Sequence, residues 1–311
     1  MNILQSLSKA LMISEDALGH LIRSAPHRYK IYPIEKKSGR GQRIIAQPAR
    51  EVKAMQYWVM EHVLRQFPIH SAAMAYRKGR GIKQNAAKHA SNRFLLKMDF
   101  QDFFNSITAS DLGSFLEGNG ILAISPEDIV RLKKILFWNK GRTGKLIMSI
   151  GAPSSPMLSN ILLHGFDKRV QAFCTRKRIR YTRYADDLTF STNRPNVLRE
   201  IEVQVREICE EMQHPKLTVN AEKTLHASSA GSRRVTGLVL ANSGSVSLGR
   251  DRKRLIRSQV HHFLTGRLSP EEVAKLRGML AFVNSAEPSF LETLRNYYGI
   301  SAIDGIMGSK E

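Results

Sequence analysis

Two aspartates stand side by side at positions 186 and 187, inside the run Arg180-Tyr-Thr-Arg-Tyr-Ala-Asp-Asp-Leu-Thr-Phe-Ser191. The flanks are rich in Tyr, Thr, Leu and Phe, so the pair reads as the tip of a tight hairpin between two strands. Adjacent carboxylates repel, and a bound cation is the usual relief. An exposed Asp-Asp turn is the alternative reading of the same residues. A third acid narrows the choice: Leu95-Leu-Lys-Met-Asp99-Phe-Gln-Asp-Phe-Phe104 is an apolar strand that ends in a carboxylate. A hairpin carrying two acids beside a strand carrying one can hold two divalent ions, and this commits the middle of the chain to a sheet.

Charge says what such a site would act on. The formal net charge is +21, which points to a polyanion, most simply nucleic acid. An anionic membrane surface is the rival, but there is no amphipathic anchor and no apolar run of about 18 residues, so no membrane partner is expected. Met1-Asn-Ile-Leu-Gln-Ser6 lacks the basic start and cleavage pattern of a secretory signal. Cys174 and Cys209 are unclustered and suggest neither a zinc site nor a disulfide framework, which fits a reducing, cytoplasmic location. With 42% hydrophobic content over 311 residues, the chain can bury two or three subdomains.

In chain order, residues 1–30 read as helical, with Ser14 as an N-cap and Pro26 as the stop. Tyr29–Lys37 and Arg43–Pro48 flank a glycine turn and make a basic hairpin suited to phosphate. Val52, Met55, Val59, Val63 and Phe67 mark a helix over 51–67 whose stripe is core packing. Arg77-Lys-Gly-Arg-Gly-Ile-Lys-Gln-Asn-Ala-Ala-Lys-His89 carries five basic residues and no acid, a candidate phosphate track. His89 reads either as a metal ligand or as a hydrogen-bonded structural histidine. Ser125-Pro-Glu-Asp128 opens a helix through about Trp138, and Asn139–Gly144 is a basic turn. Gly151-Ala-Pro-Ser-Ser-Pro156 is a rigid loop, read as a backbone platform for a base or sugar or as an ordinary helix start.

Val197, Ile201, Val205, Ile208 and Met212 predict an amphipathic helix over 197–213. Leu217–Thr224 delivers Lys223, and Val235–Leu240 is a strand of a hairpin centred on Ser243-Gly244. After about residue 248 the chain turns helical. Arg250, Arg252, Lys253, Arg254 and Arg257 crowd one helix with Asp251 as the single nearby acid, and Leu255, Ile256, Val260, Phe263 and Leu264 are read as its buried side. Ser269-Pro-Glu-Glu272 is a capping box opening a helix that buries Val273, Leu276, Leu280 and Val283.

Phosphoryl transfer to a nucleic-acid end calls for two metals about 3.5–4 Å apart, basic groups on the triphosphate and a positively lined cleft. The candidates occur in the right order, and with them the sequence resembles the reverse transcriptases, specifically the retron reverse transcriptases of bacteria. Asp99 with Asp102-Phe-Phe104 resembles the first palm motif, Gly151–Pro156 the template and nucleotide platform, Tyr184-Ala-Asp-Asp187 the catalytic hairpin, and Asn220-Ala-Glu-Lys223 the later lysine motif. Asn85-Ala-Ala-Lys-His89 and Val235-Thr-Gly237 fit two motifs narrower to retron enzymes. A glutamine usually precedes the platform glycine, and here Ile150 stands in its place.

The resemblance implies an α+β right-hand polymerase fold: an N-terminal helical segment 1–30, fingers 31–95, a palm 96–245 that takes in part of the fingers at about 105–150, and a helical thumb 246–311. It implies that Asp99, Asp186 and Asp187, with the Phe100 carbonyl, hold two Mg²⁺ (or Mn²⁺) ions. Lys36 and Arg43 would grip the triphosphate of a dNTP, Phe104 would reject a ribose 2′-hydroxyl, and Gly151 would contact the nucleotide. Lys223 would meet the leaving pyrophosphate and protonate it. Arg77, Lys78, Asn85, His89 and the basic helix at Arg250–Arg257 would bind RNA. It further implies copying of a cognate structured non-coding RNA (msr-msd) into branched RNA-linked msDNA, primed from an internal 2′-hydroxyl, within an anti-phage defence system. The expected partners are that RNA and its DNA product, host RNase H, and a separate effector such as an ATPase-nuclease pair. Two alternatives stay open: a group II intron-like or diversity-generating reverse transcriptase, and a catalytically silent RNA-binding scaffold restraining a toxic partner.

Overall fold

The computed structural model describes residues 2–35 and 41–308; Lys36 lies outside them. Eleven strands are described. β1 (Tyr29–Glu35) and β2 (Gln42–Pro48) form an antiparallel ribbon, in register from Tyr29 opposite Pro48 to Glu35 opposite Gln42. β3 is Phe94–Asp99, and β4 (Trp138–Asn139) pairs with β5 (Leu146–Ile147). β6 (Arg180–Tyr184) and β7 (Asp187–Thr192) make the acid-tipped hairpin, and β8 is Leu225–Ser228. Their sheet has the order β6-β7-β3-β8, which sets the hairpin beside the strand that ends in Asp99. β9 (Arg234–Val235), β10 (Leu238–Leu240) and β11 (Val246–Ser247) form a small sheet of order β11-β10-β9.

The chain packs as two compact units. One comprises Met1–Tyr76, Lys97–Leu188 and Arg199–Leu225; the other comprises Arg77–Leu96, Thr189–Leu198 and His226–Glu311. The backbone passes between them within β3, β7 and β8.

In the first unit the helices start where their caps say. Ser14 accepts the Ala17 N–H ahead of Glu15–Ser24, and Ser125 accepts the Asp128 N–H ahead of Pro126–Leu136. The helix expected over 51–67 is Arg50–His62, and its last turn tightens to a 3₁₀ turn at Leu64–Gln66. Val52, Met55, Val59, Val63 and Phe67 are all buried as the periodicity requires.

In the second unit Ser269 and Glu272 close the expected capping box on Pro270–Ala286. Ile256, Val260, Leu276, Leu280, Val283 and Leu294 form one core beneath the helical C-terminus. Two expectations need correction. Leu255 and Leu264 are exposed: the buried stripe of Arg250–Leu264 follows Ile256, Val260 and Phe263, and Leu255 sits one 100° step off it. Val235–Leu240 is not one strand either. Val235 pairs with Leu238, and the two residues between them, Thr236 (φ 46) and Gly237 (φ 82), both take the left-handed backbone that a two-residue hairpin loop demands. Among the described residues no helix is long and apolar enough to cross a membrane.

Candidate active site

The β6–β7 turn consists of Ala185 and Asp186, with Asp187 as the first residue of β7. Ala185 adopts φ 59, a left-handed conformation that costs a residue with a Cβ roughly 1–2 kcal/mol. The Phe100 N–H donates to the Asp186 carbonyl at 3.3 Å, tying the turn to the end of β3. On the other side of β3, the Asn220 N–H donates to the Asp99 carbonyl at 2.7 Å, which brings the Lys223 segment alongside.

Both acids of the hairpin tip are shifted upward. Burial pushes the Asp186 carboxyl up to about 6, and the neighbouring Asp99 and Asp187 add to the rise. Burial also raises Asp187, with Lys97 pulling against it and Asp99 reinforcing it. Lys223 Nζ donates to Asp99 Oδ1 at 2.7 Å, and that bond holds the ammonium above its usual range, fully protonated at neutral pH. Among the described residues no three His, Cys, Asp or Glu side chains form a ready cage for an ion.

A cavity of about 350 Å³ opens in the same unit, lined by Lys53, Tyr57, Tyr76, Phe104 and the loop from Ser149 to Pro156. Phe104 and Gly151 thus line one pocket. Gly151 has a further reason to be glycine. At φ 122, a Cβ there would come within 3.0 Å of the Ala46 carbonyl oxygen in β2, and the neighbouring Ile150 carbonyl accepts the Ala46 N–H at 2.8 Å. The platform loop is therefore stitched to the β1–β2 ribbon through its backbone. Arg43 is exposed on β2. It opposes the rise that burial, Asp186 and Tyr184 impose on the Tyr76 hydroxyl, so Arg43, Tyr76 and Asp186 share one electrostatic neighbourhood.

The second unit holds the remaining candidates. Arg77 and Arg80 close a tight turn that leaves Lys78 exposed. Asn85 and His89, read as nucleic-acid contacts, are both 0% exposed, so neither side chain reaches a ligand outside the protein. His89 Nδ1 instead sits 2.7 Å from the Ser191 hydroxyl, and Asn92 donates to the same oxygen. The Thr236 hydroxyl donates to the Ile82 carbonyl, which ties the turn at 235–237 to the start of the helix Ile82–Ala87 that carries Asn85. On Arg250–Leu264, Lys253 donates to Glu287 at 2.6 Å, and Arg252 lies over the Phe282 ring at 5.2 Å. Glu287 is a second acid that sequence distance concealed. Arg250, Arg254 and Arg257 remain exposed, the last over the Phe290 ring.

Sequence reasoning passed over two features. Tyr76, half-exposed at the cavity wall with φ 61, carries no local signal beyond its neighbours. Arg183 is fully buried and paired with Asp167. Its signal was present: an arginine in a strand, in register with Tyr181 on one face, has to find an acid somewhere.

Residues 34–243 match the family model described as Reverse transcriptase (RNA-dependent DNA polymerase). The chain is an RNA-directed DNA polymerase of the right-hand, α+β type. It is 42% identical to the retron Ec83 reverse transcriptase of Escherichia coli, over 92% of each chain. It is 33% identical to the retron Ec86 reverse transcriptase of the same organism, over 96% of this chain and 88% of that one. A foamy viral protease-reverse transcriptase bound to double-stranded DNA is similar at TM-score 0.46 and 14% identity, covering 90% of this chain and 43% of its own. The chain belongs to the retron reverse transcriptases of bacteria.

Proposed function

We propose that this enzyme copies part of a cognate structured RNA into DNA that stays covalently joined to its template through an internal 2′-hydroxyl. Asp99, Asp186 and Asp187 form the catalytic centre. The observation that carries the reading is the gathering of three carboxylates at the hairpin tip and the end of β3, where burial and mutual repulsion hold Asp186 up at about 6 and Lys223 is bonded to Asp99. Three carboxylates that share Lys223 as the one bonded cation are hard-oxygen donors that fit divalent cations, Mg²⁺ or Mn²⁺, and the Phe100 carbonyl is an additional donor of the same kind. Such ions, when bound, steady the attacking and leaving oxygens of the transfer.

The chain's own residues do the rest. Lys223, protonated and half-free, releases Asp99 and donates its proton to the pyrophosphate oxygen as the bond to the α-phosphorus breaks. Arg43 on the basic ribbon neutralises the triphosphate together with Lys36, and Phe104 walls the cavity where a ribose 2′-hydroxyl would project. Lys78, Arg77 and the exposed face of Arg250, Arg254 and Arg257 bind the RNA backbone. In this reading the β1–β2 ribbon belongs to the fingers, the β6-β7-β3-β8 sheet to the palm and the C-terminal helices to the thumb. Kinship with retron enzymes supports a cytoplasmic role in anti-phage defence, with host RNase H trimming the template and a separate effector acting downstream.

The test is direct. Purified protein is incubated with labelled dNTPs and RNA transcribed from the DNA flanking its gene. The expected product is DNA that stays linked to RNA until a 2′,5′-debranching activity releases it, and Asp187→Asn makes none. Product formed only from an added oligonucleotide primer would leave the polymerase but remove the branched priming.

A further inference from the structure

The catalytic turn and the cavity wall are each built on a strained residue, and one buried side chain is bonded to the first directly and to the second through Asn160. Ala185 and Tyr76 are non-glycine residues at φ 59 and φ 61. Such conformations persist only where the surroundings over-determine them. Arg183, 0% exposed, supplies those surroundings. Its Nη1 donates at 3.1 Å to the carbonyl of Ala185, the residue before Asp186, and at 3.1 Å to Asn160 Oδ1. The Asn160 amide in turn donates at 3.0 Å to the carbonyl of Ala75, the residue before Tyr76. The other edge of the guanidinium is held by Asp167, through Nε at 2.9 Å and Nη2 at 2.7 Å. The Arg183 backbone joins the same two segments: its N–H donates to Ala72 and its carbonyl accepts from Met74.

We infer that Arg183 is a positioning residue that couples the two halves of the reaction, setting the carboxylate turn through Ala185 and the nucleotide wall through Asn160, Ala75 and Tyr76. Neither Arg183 nor Asn160 lines the cavity, so both act through other residues. A planar guanidinium suits the task because it presents fixed donors along two edges, so Asp167 can hold one edge while the other sets the geometry. The fully buried ion pair is by itself weak evidence for stability, and specifying one arrangement is the better-attested use of such a pair. The inference rests on the carboxylates being the catalytic centre.

Three variants separate positioning from packing. Arg183→Lys keeps a positive charge against Asp167 but cannot span Asp167, Asn160 and Ala185 together. Asn160→Ala leaves the Arg183 bonds to Asp167 and Ala185 and frees the Ala75 carbonyl. Tyr181→Phe removes the other donor to Asp167, a 2.7 Å bond, and leaves the Arg183 bonds to Asp167, Asn160 and Ala185 in place. Each is assayed below its melting temperature for kcat, for dNTP KM and for Mn²⁺ affinity without substrate. Arg183→Lys should lower kcat and Mn²⁺ affinity by about 10- to 100-fold, as small misplacements do, and move KM less. Asn160→Ala should raise dNTP KM by about tenfold while Mn²⁺ affinity stays within about twofold. Tyr181→Phe should lose stability and little else.

Wild-type kcat and Mn²⁺ affinity in folded Arg183→Lys would overturn the inference. So would equal kinetic losses in Tyr181→Phe at equal loss of stability. If Arg183→Lys does not fold, an unchanged dNTP KM in Asn160→Ala overturns the coupling. Asp186→Asn run alongside tells the two readings apart. If it still polymerises and binds Mn²⁺, the site assignment itself fails; if it is dead while the Arg183 and Asn160 variants behave as wild type, only the coupling fails.

Discussion

Asp167 and Asp186 lie in the same unit, and the protein treats their charges in opposite ways. Asp167 is fully buried, yet its carboxylate is saturated by one edge of Arg183, through Nε and Nη2, and by the Tyr181 hydroxyl. Asp186 is less enclosed, and its carboxyl is pushed up to about 6, first by burial and then by the neighbouring acids Asp99 and Asp187. The first cluster is closed to any further ligand: every oxygen has its donor. The second keeps acceptors and surplus charge in reserve. Burial alone therefore does not mark a functional acid; the mark is charge left unbalanced where the rest of the molecule balances it.

The sharpest way to break this comparison is to neutralise one acid from each cluster. Asp186→Asn should reduce DNA synthesis by at least about 1,000-fold, roughly 4 kcal/mol of barrier. Its melting temperature should not fall, since an unfavourable negative charge is removed. Asp167→Asn should do the reverse in kind, costing about 3–5 kcal/mol of stability because Arg183 is left buried without its counter-charge. Urea unfolding of the two variants measures this, and a larger stability loss in Asp186→Asn would invert the contrast. Lys223→Ala should slow single-turnover incorporation by roughly 100-fold with the fold intact, since a positioned acid contributes on that scale. An unchanged rate would reduce the Lys223–Asp99 bond to a surface ion pair.

Two smaller effects sharpen the picture at its edges. Phe104→Ala should relax discrimination against ribonucleotides by about 10- to 100-fold in single-nucleotide incorporation, the range expected for one steric contact. An unaltered preference for dNTP would take Phe104 out of the cavity's selective wall. On the C-terminal helix, replacing Arg250, Arg254 and Arg257 by Ala should flatten the salt dependence of RNA binding by roughly 0.7–0.9 log units per lost contact. Lys253→Ala should lower stability more than it changes that slope, because Lys253 is bonded to Glu287.

Several features are legible in the amino-acid sequence alone. The acid-tipped hairpin, the strand ending in Asp99 and the capped helices at Ser14, Ser125 and Ser269 follow from local pattern, and the folded protein contains them all. Strand alternation, helix periodicity and capping each act within a few residues, so the sequence carries them in plain form. The family is legible for a related reason: its motifs are short, ordered and tied to chemistry.

Other features depend on partners far along the chain. Lys253 reads as one of five free cations until Glu287, 34 residues on, takes it up. Asn85 and His89 read as ligand contacts until the fold closes over them, with Ser191 meeting His89 from 102 residues away. Gly151 suggests room for a nucleotide, and its backbone turns out to be pressed against β2 as well. Composition and local order determined which elements form and which chemistry the chain carries. Tertiary structure decided which charges are balanced and which are left over, because a counter-charge is chosen by proximity in space, and proximity between distant residues exists only once the chain has folded.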